Sequence, residues 1–384
     1  MKRRARRFKD VNEDLYRRVL RLVVVNGAMP AITGLLPAVG MFAVLLVGGS
    51  RIHDGHMDVA EFFTFAMYIW ELTFPTFIMG WVVALVQRGS AAMQRIDEVL
   101  SVEPSIRDHD EVEAVESLRG EVEFRNLHFR YGDESSAVAL EDVSLHVPAG
   151  STLGVVGPVG SGKTTLASVI PRLHEVEDGQ VFLDGVDVNR LPLGMLRSNI
   201  AMVPQDSFLF SLSLAENVAY GLGEDATDEE VAQAAQRAQL TKDIHELPDG
   251  FATLVGERGV MLSGGQRQRT ALARALALRP SILILDDTLS AVDAATESAI
   301  QAELSEVFKG RTVVVVASRV STVRDCDQII VMDQGRLVEH GTHASLMAGQ
   351  GLYARLASEQ ARSDRANDHP ETTEATSPTQ ESTS

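Results

Sequence analysis

The chain has one cysteine, Cys326, in 384 residues. That excludes an internal disulfide framework and fits a reducing compartment. No histidine or metal-ligand spacing surrounds it, so it reads as an ordinary small residue rather than a reactive thiol. Positive charge is also in deficit: the formal net charge is -18. This argues against a nucleic-acid-binding partner. The basic start, Lys2 to Lys9, resembles a nucleic-acid arm or the first part of a signal peptide in isolation. Most informative is the absence of any charged residue from Leu22 to Ser50.

An uncharged run of that length can cross a hydrocarbon core of about 30 Å at about 1.5 Å per residue. Pro30 and Pro37 lie inside it, which membrane helices tolerate better than soluble ones. A short link with Arg51, Asp54, Asp58 and Glu61 follows, then a second apolar run from Phe62 to Val86. Two transmembrane helices over 22–50 and 62–86 are expected, forming a hairpin. Arg17, Arg18 and Arg21 precede the first, and Arg88 and Arg95 follow the second, so both ends read as cytoplasmic. The length of the first run and the presence of a second exclude a signal peptide. Residues 87–102 extend the second helix. The polar, acidic stretch 103–118 reads as a linker.

The stretch Gly157-Pro158-Val159-Gly160-Ser161-Gly162-Lys163-Thr164-Thr165 fits the phosphate-binding loop G-x-x-x-x-G-K-[ST]. Glycines let successive N–H groups turn inward onto phosphate oxygens. The Lys163 ammonium can bridge terminal phosphates and the Thr164 hydroxyl can sit on Mg²⁺. A buried strand over 151–156 leads in and a helix begins at Thr165, which is the context the motif requires.

The flanking sequence alternates strands and helices, as an α/β domain with a mainly parallel sheet core. Val122, Phe124, Leu127 and Phe129 mark edge strands broken near Asn126, and Tyr131 follows them. Its ring either stacks on a purine or ends a strand in the core. Short strands are expected at 180–183 and 200–203, and Gln205 closes the second as a Mg²⁺ or water ligand or a solvated loop residue. The helix-rich part, 211–279, contains a capping box at Thr227 to Glu230. It also contains Leu262-Ser263-Gly264-Gly265-Gln266, which opens an amphipathic helix and reads as a plain cap or a second anion site. Ile282 to Asp286 is a buried strand ending in an acid placed for Mg²⁺. Asp287 and Ser290 to Asp293 follow. Another buried strand, 312–317, ends at Ser318-Arg319.

Together these elements resemble the ATP-binding cassette family, exporter type, from Glu121 to about Gln360. Val255 to Gly259 also looks like the exporter segment that meets the membrane domains. The resemblance implies an α/β P-loop domain with a helical subdomain, preceded by an all-α transmembrane portion. The divisions become 1–102, partial transmembrane domain; 103–118, linker; 119–360, cassette; 361–384, a Ser/Thr/Glu/Pro-rich tail expected to be disordered. It implies ATP and Mg²⁺ as cofactors, with Tyr131 on adenine and Gly157 to Thr165 on the phosphates. Thr164, Gln205 and Asp286 are then the metal ligands. It places the chain in the cell membrane, multi-pass, with the nucleotide domain cytoplasmic. Cassettes of this family pair head to tail, so Ser263, Gly264, Gly265 and Gln266 would complete the partner's site.

Two departures stand out. Where the family carries a glutamate as general base, this chain has Asp287. Where it carries a histidine on the terminal phosphate, this chain has Ser318. Positioned acid–base groups contribute about 10²–10⁴-fold, so the chain's own site is expected to bind ATP and hydrolyse it poorly. Its partner is then a second half-transporter with both residues in place. A self-pairing slow ATPase, or a nucleotide-binding remnant without transport, are the alternatives. The family's membrane domain has six spans, so four are expected to be missing here, as in a fragment, a late-called start or a split gene. The substrate, a small or lipid-like molecule, is not legible.

Glu71 is the charged residue of the second apolar run. A carboxylate at membrane depth is costly and faces a cavity or partner helix. If it contacts a cationic substrate, Glu71→Gln selectively weakens that substrate's transport. Unchanged transport of every substrate tested removes the idea.

Overall fold

The computed structural model describes residues 2–108, 112–113, 115, 117–132, 137–223, 226–256, 260–288 and 308–368. It comprises two compact units, Met1–Glu103 and Pro104–Ser384.

The first unit is a hairpin of α1 (Lys2–His53) and α2 (Val59–Leu100). At 1.5 Å per residue these helices are about 78 and 63 Å long, well beyond the hydrocarbon thickness. The expected spans over 22–50 and 62–86 lie within them, and α1 continues through both prolines. Among the described residues, α2 is the one helix long and apolar enough to cross a bilayer, with a mean hydropathy of 1.7. Pro37–His53 is a shorter apolar stretch. The acids of the link act locally. Asp58 caps α2, and its backbone N–H donates to the Glu61 carboxylate at 3.0 Å. Small residues let the two helices approach. A Cβ on Gly40 would touch Ile69 at 3.5 Å, and one on Gly48 would lie 2.7 Å from Phe62. Trp70 and Phe74 are exposed, as is Glu71.

The second unit holds two sheets. β1 (Val122–Arg130), β2 (Val138–Val147), β4 (Val181–Leu183) and β5 (Val186–Asp187) form an antiparallel sheet in the order β2-β1-β4-β5. The break expected near Asn126 is a bulge, with Asn126 at φ 46°. The second sheet runs β10-β9-β3-β8-β7-β6. Its members are β3 (Thr152–Val156), β6 (Ile200–Val203), β7 (Ile282–Asp286), β8 (Thr312–Val316), β9 (Gln328–Asp333) and β10 (Arg336–Gly341). All neighbours are parallel except β10 on β9.

The central strands are unbroken apolar runs because both faces are covered. Ile282 and Ile284 of β7 face one core with Val314 and Val316 of β8. Leu283, Leu285, Val313 and Val315 face the other. The first core lies toward the antiparallel sheet and includes α3 (Lys163–Val169) and Leu196 of α4 (Leu193–Asn199). The second is closed by the helical subdomain, α5 (Leu214–Ala219), α6 (Asp228–Arg237), α7 (Thr241–Glu246) and α8 (Gly264–Ala277). Thr227 and Glu230 form the expected capping box. Arg274 of α8 ties this subdomain together, donating to the backbone carbonyl and side-chain oxygen of buried Asn217 at 2.8 Å each.

The expected linker, 103–118, is held at several described residues, and the expected tail needs correction. Described residues of that stretch bond to the rest of the second unit: Leu193 N–H donates to Asp108 at 2.7 Å, and Glu113 N–H to the Arg190 carbonyl at 2.8 Å. Leu118 is buried. Polar, acidic composition marked this stretch as a linker and gave no sign of these bonds, which join segments distant in sequence. At the other end, the last helix, Leu352–Asp368, runs through the first eight residues of the expected disordered tail. No glycine or proline intervenes before Pro370 to stop it. Residues 369–384 lie outside the described residues.

Gly154 in β3 lies against the segment after β8. A Cβ there would lie 2.6 Å from the Val323 Cβ and 3.4 Å from the Cys326 sulfur. Gly154→Ala therefore overpacks the centre of the sheet. It should destabilise the second unit by about 1–3 kcal/mol, read as a lower denaturant midpoint for the full chain in detergent.

Candidate functional site

The carboxyl ends of β3, β7 and β8 lie side by side, with Val155 opposite Val316 and Val316 opposite Asp286. Each strand delivers one functional segment there: β3 the phosphate loop, β7 Asp286 and Asp287, β8 Ser318.

The loop runs from Gly157 to Gly162, which is the N-cap of α3 at φ 96°. A Cβ on Gly162 would lie 2.8 Å from the Ala139 carbonyl, so only glycine fits this left-handed position. Lys163 lies over the loop, its Nζ donating to the carbonyls of Gly157 and Pro158 at 2.9 Å each. Burial holds its pKa below the ordinary lysine value, against the pull of Asp287 and Asp286. Ser161 is buried, and its Oγ has no hydrogen-bond partner among the described residues. Buried hydroxyls are nearly always satisfied, so an unpaired one inside a glycine loop fits a phosphate oxygen. Val159 projects from the loop and is almost fully exposed.

Thr164 Oγ1 donates to Asp286 Oδ1 at 3.1 Å. Burial pushes the Asp286 carboxyl above the ordinary carboxylate range. The Thr164 hydrogen bond opposes that, Asp287 adds to it, and Lys163 opposes it. Asp287 has φ 47°, and its N–H donates to the Val316 carbonyl at 2.8 Å. Its carboxylate accepts from the Ser318 hydroxyl at 3.1 Å, the Ser318 N–H at 3.4 Å and the Gln205 amide at 3.4 Å. The structure thus brings Gln205, Asp287 and Ser318 together, beside the Thr164–Asp286 pair.

Tyr131 shares a cavity of about 510 Å³ with Gly160 to Thr165, Val138 and Ala139. Its hydroxyl meets Thr165 Oγ1 at 2.9 Å, and its ring meets those of Phe129 and His174 edge-on at 4.9 and 5.1 Å. Gln334 and Gly335 close the cavity from the β9–β10 turn, where Gly335 N–H donates to the Ser161 carbonyl at 3.1 Å. Sequence reasoning missed His174, Gln334 and Gly335. A turn was legible at Gln334-Gly335, but nothing local tied it to the loop.

The Ser263 segment makes no hydrogen bond with this cluster among the described residues. Ser263 is the N-cap of α8: its Oγ accepts from Gln266 N–H at 3.3 Å, and its own N–H donates to Gln266 Oε1 at 2.9 Å. Gly264 and Gly265 form the first turn. Asp243 braces the helix through a largely buried pair with Arg269, at 2.7 and 2.9 Å. The expected segments 257–259 and 290–293 lie outside the described residues.

Comparisons with known proteins agree on one family. Residues 140–290 match the ABC transporter model, and residues 2–76 match the ABC transporter transmembrane region. A probable multidrug resistance ABC transporter ATP-binding/permease protein of Bacillus subtilis is 38% identical over 348 residues, 91% of this chain and 59% of the relative. An ATP-dependent lipid A-core flippase of Chromobacterium violaceum is 40% identical over 352 residues, 92% of this chain and 60% of the relative. A bacterial Atm1-family ABC exporter with ATP bound superposes with a TM-score of 0.77 at 35% identity, covering 88% of this chain and 58% of that one. The chain therefore spans about three-fifths of these relatives.

The raised Asp286 pKa has a consequence for stability. A carboxyl whose folded pKa is raised favours folding below its unfolded value, about 3.9, and that contribution is lost as pH rises through the folded pKa. At neutral pH the ionised group opposes folding. Asp286→Asn should raise the thermal midpoint of the full chain in Mg²⁺-free buffer at neutral pH. That gain should shrink as the pH falls toward the carboxylate range.

Proposed function

This chain belongs to the ABC transporter family, with a membrane region ahead of a cytoplasmic ATP-binding domain, and on that footing we propose that it is an exporter subunit whose own ATP site hydrolyses slowly. The observation that carries the proposal is the hydrogen bond from the Ser318 hydroxyl to the Asp287 carboxylate at 3.1 Å. The two substituted positions face one another, so their losses fall in one site. Asp287 is one methylene shorter than the glutamate the family uses. A serine hydroxyl cannot carry the positive charge of an imidazolium.

Binding is a separate matter. The glycine cradle, the unpaired Ser161 hydroxyl and Lys163 favour a triphosphate. Thr164 Oγ1, Asp286 and the Gln205 amide oxygen are hard oxygen donors that suit Mg²⁺. A cation there would offset the charge of a desolvated carboxylate, and it would supply charge neutralisation at the phosphates when bound. Tyr131, at the cavity rim, is placed for the base. The chain's own phosphate loop and Ser263 segment share no hydrogen bond among the described residues, which supports use of the Ser263 segment by a second chain. We place Ser263 to Gln266 on the nucleotide of that partner, one that carries the glutamate and histidine this chain lacks. The transported molecule is small and amphipathic or lipid-like, the class suggested by the multidrug and lipid A-core relatives.

ATP hydrolysis by the full chain, with and without the candidate partner, tests this. The chain alone should be nearly silent. Asp287→Glu with Ser318→His should raise turnover at its own site about 10²-fold. The partner should restore turnover that a Ser263→Ala exchange abolishes. Robust hydrolysis by the unaltered chain alone would favour a self-pairing ATPase.

A further inference from the structure

The last helix, α11 (Leu352–Asp368), follows α9 (Val320–Val323) and α10 (His343–Ala348) in the described chain. One face of it is built into the core. Tyr353 is fully buried, and Leu356 and Ala357 pack against the same core as Val320 and Val323. The Tyr353 hydroxyl meets His343 Nδ1 at 2.8 Å, and Glu339 accepts from the N–H groups of Leu352 and Tyr353. Positions 353, 356, 357 and 360 form a single stripe at helical spacing. Its last member is Gln360, a half-buried amide where the pattern calls for an apolar residue.

Gln360 uses both ends of that amide on one short loop. Its Nε2 donates to the Ser318 carbonyl at 2.8 Å, and its Oε1 accepts from Val320 N–H at 2.7 Å. Binding a carbonyl and an N–H two residues apart, as a neighbouring strand would, fixes the backbone on both sides of Arg319. This loop leaves the end of β8 and aims the Ser318 hydroxyl and N–H at Asp287. The connection is continuous: core stripe, Gln360 amide, Ser318 backbone, Asp287 carboxylate.

We propose that Gln360 is a positioning residue for the nucleotide site, holding Ser318 against Asp287 from the C-terminal helix. The proposal rests on the reading that Ser318 and Asp287 lie at the terminal phosphate. Gln360 touches no nucleotide atom in this scheme. It acts only through Ser318, so it should influence what the site does with the terminal phosphate and nothing else about nucleotide affinity.

The test is the ratio of ADP to ATPγS dissociation constants, measured by equilibrium binding to the full chain in detergent with Mg²⁺. Ser318→Ala reports the underlying reading and should lower the preference for the triphosphate. Gln360→Glu keeps the acceptor for Val320 N–H but removes the donor to the Ser318 carbonyl. Gln360→Ala removes both. Each Gln360 variant should lower the preference by about three- to tenfold, the range expected for losing one or two neutral hydrogen bonds, with ADP affinity unchanged. In a Ser318→Ala background the Gln360 effects should shrink to what the Ser318 N–H alone carries, well short of additive. If Ser318→Ala leaves the ratio unchanged, the placement of the Ser318–Asp287 pair is wrong and the proposal falls with it. If Ser318→Ala lowers the ratio and neither Gln360 variant does, the placement stands and the role of Gln360 is refuted. An additive effect, or a parallel loss of ADP affinity, means that Gln360 only supports the fold and also overturns the proposal.

Discussion

In-register parallel pairing of β3, β8 and β7 is the constraint on which the site depends. Hydrogen bonding aligns Val155 with Val316 and Val316 with Asp286. The three strands therefore end at one level, and whatever follows each of them is delivered to the same place. This is the general behaviour of open parallel sheets, whose ligands bind outside the carboxyl ends of the strands. Apolar residues on both faces hold these strands between two cores, and the interdigitation of their side chains there fixes which residues align. Core packing and site geometry thus have one cause.

The site sits at the edge of what such a core tolerates. Asp286 is nearly inaccessible and Lys163 is partly desolvated, and burial disfavours the charged form of each. Their opposite charges offset only part of that cost. The Ser161 hydroxyl is buried and unpaired among the described residues. Groups held in this way cost the fold stability rather than support it.

Asp287 stands directly after β7, beside the loop that follows β8. Its left-handed backbone and its hydrogen bond to the Val316 carbonyl hold it at the strand end. From there the shorter side chain reaches Ser318 and Gln205. The Gln360 amide anchors Ser318 in turn. A helix at the far end of the chain thereby becomes part of the support for a loop whose sequence is more than 40 residues earlier.

Most of the elements can be recognised from local sequence. The phosphate loop between a buried strand and a helix, the apolar runs of β7 and β8, the capping box at Thr227, the helix start at Ser263 and the long helices of the first unit were all legible. Each depends on local spacing: periods of 2 and 3.6, glycine at left-handed positions, a hydroxyl at a helix start. The residues to examine at the site were legible as well, because Lys163, Thr164, Asp286, Asp287 and Ser318 sit at strand or helix ends. Tertiary structure alone decided their contacts. Ser318 bonds to Asp287 across 31 residues, Gly335 closes on Ser161, His174 braces Tyr131, and Gln360 clamps the Ser318 loop. The bonds at Asp108 and Glu113 and the continuation of α11 to Asp368 were likewise not legible. These contacts join segments whose meeting is fixed by which faces the core buries, and no local pattern records that.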